Sequence, residues 1–331
     1  VSDSVLAPSS LAPLVPPAAS LPRVSVVIPV RNDARRLAVC LASLARQNYP
    51  AGRLEIIVVD NGSTDGSAEV ARQMGAVVLS YPRLRVGALR NRGVAMASGE
   101  ILAFVDADHE LPADWVCRGV DALLRHPARA VGAACCAPRD GTWVQRYWEL
   151  HRRRSRSPQR TRWLGAGNLF VRRADFLAVG GFREDLVAAE DVDLCLRLGG
   201  AQGQVVSDPQ IVNIHHGEPP TLAAFLKKEY WRGSSGLKAF IAQGCPWAEL
   251  PSLLYSLYIL IGLLGGLGAL AAAVAGAGTG WLWTALAILL LPASLLGIRR
   301  SWQLRRADAC LPLAVLYLAY GLARAAALFK P

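Results

Sequence analysis

Residues 101–108 read ILAFVDAD, and the reading of the whole chain turns on them. Ile101 to Val105 form an unbroken apolar run, the pattern of a strand buried on both faces, and two acids close it. Strand alternation is expected to send Asp106 and Asp108 to the same side, where both can approach one hard cation and its phosphate oxygens. A D-x-D triplet alone is a weak signal, because acids in turns are usually just solvated. Its neighbours strengthen it. VSVVIPV (24–30) and LEIIVVD (54–60) are runs of the same kind, and a further strand is expected over 76–80. Helices are expected between them: 34–47, with Leu37, Leu41 and Leu44 on one face and Asp33 as its cap, then 67–74 and 88–97, stopped by Gly99. Strand and helix alternating in this way predict an α/β fold with a mostly parallel sheet flanked by helices. Ligands of such sheets sit beyond the carboxyl ends of the strands, where Asp60, Asp106 and Asp108 stand.

The next hundred residues are less regular. A helix is expected over 113–126 and a strand over 131–137, followed by HRRRSRSPQRTR (151–162), with six arginines and no acid. No aromatics interleave these arginines to stack bases, so no nucleic-acid partner is expected. A basic loop over the active site, one facing anionic lipid, or one doing neither remain open. A strand over 168–173, a tight turn at GGF (180–182) and a helix over 190–198 follow. Glu190 and Asp191 open that helix, whose free N–H groups favour the ionised carboxylate. Such an Asp is a competent general base for a hydroxyl; in isolation helix capping is the better explanation, and beside the other motifs catalysis is. Asp60, followed by Asn61-Gly62-Ser63, suits hydrogen bonds to a ribose or base, or else a turn built on its own side chain.

Composition divides the chain. Of 331 residues 53% are hydrophobic and 18% charged, with a mean hydropathy of +0.28. Between Glu249 and Arg299, 49 consecutive residues lack Asp, Glu, Lys or Arg, enough for two spans of about 20 residues across a ~30 Å bilayer core. The spans are expected at Leu253–Val274 and Trp281–Ile298, with a third at Ala309–Phe329 interrupted by Arg324, placed to snorkel. Arg299, Arg300, Arg305 and Arg306 put their loop in the cytoplasm and the 276–280 turn outside, and two crossings bring the soluble domain inside as well. FLKKEYWR (225–232) suits an interfacial helix or an ordinary amphipathic one. Residues 1–22 are Pro, Ala and Ser rich without a basic n-region, the mark of a disordered leader and not of a signal peptide. Seven cysteines without metal-ligand spacing fit reduced thiols. The net charge of +11 fits anionic lipid or phosphorylated ligands, and the composition excludes disordered, collagenous and disulfide-scaffold chains.

Taken in order, VSVVIPVRND (24–33), VVDNGSTDGS (58–67), LRNRGVAMASGEILAFVDAD (89–108), GAGNLFVRRADFLAVGGF (165–182) and EDVDLCLRL (190–198) resemble the family 2 glycosyltransferases, from about residue 24 to 216. The resemblance implies a GT-A fold, Rossmann-like, with a nucleotide-diphosphate sugar donor (a UDP- or GDP-sugar), a divalent cation (Mn²⁺ or Mg²⁺) and inversion at the anomeric carbon. It implies that Asp60 binds the nucleotide, that Pro29 and Arg31 line the base pocket, and that Asp106 and Asp108 form the metal–diphosphate motif. Asp191 would be the base, with Glu190 beside it, and His215 of the His215-His216 pair a further metal ligand, or one of a buried and a solvated pair. The QxxRW motif of processive synthases is absent, which argues against a processive enzyme. The organisation expected is therefore a leader (1–22), a catalytic domain (23–218), an interfacial segment (219–250) and a membrane domain of two to three helices (251–331). The activity expected is transfer to a hydroxyl of a lipid-linked or membrane-proximal acceptor, from a multi-pass protein of a bacterial-type plasma membrane, with the catalytic domain cytoplasmic. The alternatives are transfer to a polyprenyl phosphate and a catalytically silent nucleotide-sugar-binding protein.

Overall fold

The computed structural model describes residues 21–152, 157–200, 205–242 and 250–329. Most of the expected leader, part of the arginine run and Cys245 lie outside the described residues. The first half alternates as the sequence predicts: β1 (Val24–Val30), α1 (Ala34–Ala45), β2 (Leu54–Asp60), α2 (Ser67–Gln73), β3 (Val77–Ser80), α3 (Val86–Met96) and β4 (Ile101–Phe104). After β5 (His109–Glu110) come α4 (Trp115–Arg125), β6 (Ala130–Gly132), α5 (Trp143–Arg152), β7 (Gln159–Arg160), β8 (Leu169–Arg172), α6 (Arg173–Ala178), α7 (Glu190–Gly199), β9 (Val205–Ser207) and β10 (Ile214–His215). The main sheet runs β3-β2-β1-β4-β8-β6-β9-β7, and β10 pairs with β5 separately. The first four strands are parallel, whereas β8 is antiparallel to both β4 and β6.

Every residue of β1 is buried, and its alternation feeds two cores. Val24, Val26, Ile28 and Val30 share one cluster with Leu37, Leu41 and Leu44 of α1 and Trp115 of α4. Val27 faces the other cluster, with Leu89 of α3, Phe104 of β4, Phe176 of α6 and Leu194 of α7. Gly93 lets α3 come down on the sheet, since a Cβ there would lie 2.4 Å from Val27 Cγ1. The strand order reverses at β1, between β2 and β4, the place where sheets of this type open a ligand crevice.

Three later helices, α9 (Leu250–Val274), α10 (Gly280–Leu304) and α11 (Cys310–Ala327), follow the long α8 (Leu222–Ala242). Leu250–Val274, Gly280–Leu304 and Ala307–Ala327 are each long and apolar enough to cross a membrane. A third apolar cluster joins α5, α8, α10 and α11 through Trp148, Phe225, Ala293, Leu313 and Leu316.

Candidate active site

The acidic turn does not ride on a strand. Val105 N–H reaches the Val27 carbonyl at 3.3 Å, so the odd residues of β1 turn their polar groups toward β4. The next donor on that side would be Pro29, which has no N–H, and the ladder stops there. β4 therefore ends at Phe104, and residues 106–109 close a turn through a His109 N–H to Asp106 carbonyl bond of 3.2 Å. This corrects the strand alternation expected for Asp106 and Asp108. The two acids take different partners as a result.

Asp108 joins a histidine pair. β5 pairs with β10 so that His109 stands opposite His215, and their rings stack at 4.6 Å. His215 Nε2 lies 3.0 Å from Asp108 Oδ2, and its Nδ1 lies 2.8 Å from Glu218 Oε1. Burial opposes charge on Asp108, but the hydrogen bond and charge of His215, with His109 and Arg36, hold its carboxyl well below the usual range. Burial likewise disfavours the His215 cation, yet Asp108 and Glu218 push its pKa up to about 9. One ligand atom each from Asp108, His109 and His215 lie within 4.8 Å of one another. A mixed oxygen and imidazole donor set fits Mn²⁺, and Mg²⁺ would depend more on the carboxylate and on phosphate oxygens. His216 turns away to Glu110, at 2.9 Å.

Asp106 is held elsewhere. Arg90, on α3 and 3% exposed, places Nη2 2.7 Å from Asp106 Oδ1 and Nη1 2.7 Å from Glu190 Oε1. One guanidinium thus ties the acidic turn to the first turn of α7. The residue preceding α7, Ala189, adopts a left-handed conformation (φ 63°) and has no side chain that could cap the helix. Its carboxylate accepts from Val192 N–H at 2.8 Å and from Ala166 N–H at 3.3 Å, in the 163–168 loop. Burial, then the charge of Glu190, pushes its pKa up to about 6, near the value that suits a base working at neutral pH.

At the β1–β2 end, Asp60 is 3% exposed and accepts from Gly62 N–H at 3.1 Å and Ser63 N–H at 3.1 Å, shaping the turn after β2. Val30 stands opposite Asp60 in register, so Pro29, buried, and Arg31, exposed, share this edge with it. Asn32 takes a left-handed conformation (φ 52°), and its Oδ1 accepts from Thr64 N–H at 2.8 Å. Asp65, not Asp33, receives the Ala34 N–H at the start of α1, at 2.9 Å, while Asp33 binds Arg36 at 2.8 Å. The expected cap is corrected accordingly.

Arg90, His109 and Glu218 went unassigned in the sequence, although Arg90 lies inside the quoted LRNRGVAMASGE stretch and His109 directly follows Asp108. Glu218 is buried beside His215, Arg152 and Lys228. Burial opposes its ionisation, but those three cationic partners outweigh it and keep the carboxyl far below its usual range.

An open, mostly parallel sheet with this acidic turn at its crevice is a GT-A fold. The mannosyltransferase PcManGT from Pyrobaculum calidifontis, solved in complex with GDP-Man and Mn²⁺, superposes with a TM-score of 0.57 at 20% identity, over 94% of this chain and 89% of that one. The family model for glycosyl transferase family 2 matches residues 25–179. Glycosyltransferase AglE of Haloferax volcanii is 31% identical over 257 residues, 74% of this chain and 82% of that protein. The beta-monoglucosyldiacylglycerol synthase of Nostoc sp. is 28% identical over 199 residues, 54% of this chain and 42% of that protein. The chain belongs to glycosyl transferase family 2. It is a glycosyltransferase that draws on nucleotide-sugar donors.

Proposed function

We propose that this protein is a membrane-anchored, metal-dependent, inverting glycosyltransferase that moves a sugar from a UDP- or GDP-sugar to a hydroxyl of a lipid-linked or membrane-proximal saccharide. The observation that carries the reading is the Arg90 bridge, which holds the Asp106 turn and the Glu190–Asp191 turn to one cleft at 2.7 Å on each side. Asp60 and Asp106 bind the nucleotide, with Pro29 and Arg31 flanking its base. Asp108 and His215, with His109 adjacent, hold the divalent cation, Asp106 lying on the Arg90 side of the same turn. When bound there, the cation supplies positive charge against the charge that develops on the departing diphosphate. The Mn²⁺ and GDP-Man in the similar mannosyltransferase support this donor and metal class.

Asp191 takes the proton from the acceptor hydroxyl as its oxygen bonds to the anomeric carbon. The bond from that carbon to the donor phosphate oxygen breaks on the opposite face, giving inversion and a free nucleoside diphosphate. A phosphate acceptor needs no base, so a carboxylate with its pKa pushed to about 6 favours a hydroxyl. The name of the Nostoc relative supports a lipid acceptor.

The expected domain boundaries at 22, 218 and 250 form part of this proposal, as does a plasma-membrane location with the catalytic domain cytoplasmic. Arg300, near the C-terminal end of α10, donates to the Leu150 carbonyl of α5 at 2.7 Å, which supports the same side for this basic end of α10 and the catalytic domain. Hydrolysis and binding of UDP-, GDP- and dTDP-sugars by the purified protein, with and without Mn²⁺, tests the reading. Donor binding indifferent to the metal would overturn the metal-dependent form of it.

A further inference from the structure

We infer that α11, although long and apolar enough to span, does not cross the membrane. It lies with α8 as a strap along the membrane-facing base of the catalytic domain, so the chain crosses twice and Phe329 stays on the side of the active site. The inference rests on the proposed membrane anchoring.

Both ends of α11 are tied to elements of the catalytic side. Just before it, Asp308 Oδ2 accepts from the Tyr147 hydroxyl of α5 at 3.1 Å. In its middle, the Tyr317 hydroxyl lies 3.0 Å from His151 Nδ1. In its last turn, Arg324 Nη2 lies 3.0 Å from Oε2 of Glu229 on α8. Glu229 directly follows Lys228, whose Nζ donates to the Gly217 carbonyl at 3.3 Å and lies 3.5 Å from Glu218 Oε2. Glu218 in turn holds His215, and His215 holds Asp108. A helix leaving the catalytic face and crossing a ~30 Å core would carry its last turn to the far side of the bilayer, away from all these partners. An 18-residue helix is about 27 Å long, which is why hydropathy alone selects it.

Contacts with the α9–α10 hairpin agree. On α10, exposed Trp283 and Trp302 are separated by about 28 Å of helix, one bilayer core between two aromatic belts. α11 meets α10 near the Trp302 end, where Gly297 faces the Cys310 carbonyl and Ala314. It meets α9 near its start, through a Tyr255 hydroxyl to Tyr317 carbonyl bond of 3.1 Å and a Ser252–Tyr320 bond of 2.6 Å. Added Cβ atoms at Gly265, Gly266 and Gly268, farther along α9, would meet open space. α8 also carries Lys227, Lys228, Glu229, Arg232 and Lys238, five charges that a hydrocarbon core would penalise. Exposed Tyr230, Trp231, Leu311 and Phe329 give the strap the side chains suited to headgroup depth.

Single cysteines placed at Glu69, Thr279 and Phe329 of the full chain test this, each read above the parent chain's own thiol background with a membrane-impermeant maleimide. In intact cells Thr279→Cys is expected to label, whereas Glu69→Cys and Phe329→Cys are expected to label only in inverted vesicles. Labelling of Phe329→Cys in intact cells, together with Thr279→Cys, would overturn the strap and leave the anchoring reading standing. Identical labelling at all three positions would overturn the strap by removing the anchoring reading beneath it.

Discussion

His215 Nε2 stands 3.0 Å from Asp108 Oδ2, joining residues 107 apart in sequence. That bond and Glu218 keep the imidazole protonated to about pH 9, so a cation binding there must displace a proton. Affinity for Mn²⁺ is expected to rise about tenfold per pH unit below pH 9 and to level off above it, because the competing proton is lost as pH increases. Calorimetry at several pH values, in buffers of differing ionisation enthalpy, should find about one proton released near pH 7. In His215→Asn the slope should flatten.

Gly217 offers a second route to the same group. A Cβ there would fall 1.8 Å from Asp108 Oδ2, while the backbone at this glycine is not left-handed. Gly217→Ala is expected to displace the Asp108 carboxylate and weaken Mn²⁺-dependent nucleotide binding at least tenfold. Thermal stability should fall by no more than about 1–3 kcal/mol, the cost of disturbing one largely buried hydrogen bond. Parental metal-dependent binding would contradict the placement of Asp108.

Arg90 sits between two carboxylates and is nearly without solvent contact. Arg90→Gln removes their shared cation and should cost about 3–5 kcal/mol in denaturant-induced unfolding. Arg90→Lys keeps the charge but cannot hold both acids in one planar fork. Its transfer rate is expected to fall far more than its stability.

The sheet was legible because apolar runs ending in Asp60 and at Phe104 carry their own signature, and the motif order gave the family. What the sequence did not disclose depends on pairing across the chain. Pro29 ends the β4 ladder from a neighbouring strand, two-residue β5 and β10 bring His109 to His215, and Arg90 meets Glu190 across a hundred residues. Periodicity reports which face of an element is apolar and not which partner covers it. For the same reason Arg324 reads as a snorkelling residue in a third span, although Glu229 receives it.

Arg324→Leu separates those two readings energetically. In a true span the change removes a charge from hydrocarbon and should stabilise. In the strap it takes one of two cations from Glu229, which is 1% exposed and retains Arg232 at 2.7 Å. A loss of about 1–3 kcal/mol in detergent-solubilised protein is expected, and Glu229→Leu combined with Arg324→Leu should recover most of it.

The most direct measurement of the central claim is the transfer rate of Asp191→Asn across pH. Because Asn keeps an Oδ1 that can accept the Val192 N–H, the exchange should leave α7 intact, and nucleotide affinity should persist because Asp60 and Asp108 lie elsewhere. In the parent, activity is expected to fall as pH drops through about 6, where Asp191 takes up a proton. In the variant, transfer should fall by ~10²–10⁴-fold and that acid limb should vanish. Near-parental transfer with the acid limb intact would contradict Asp191 as the base and, with it, a hydroxyl acceptor.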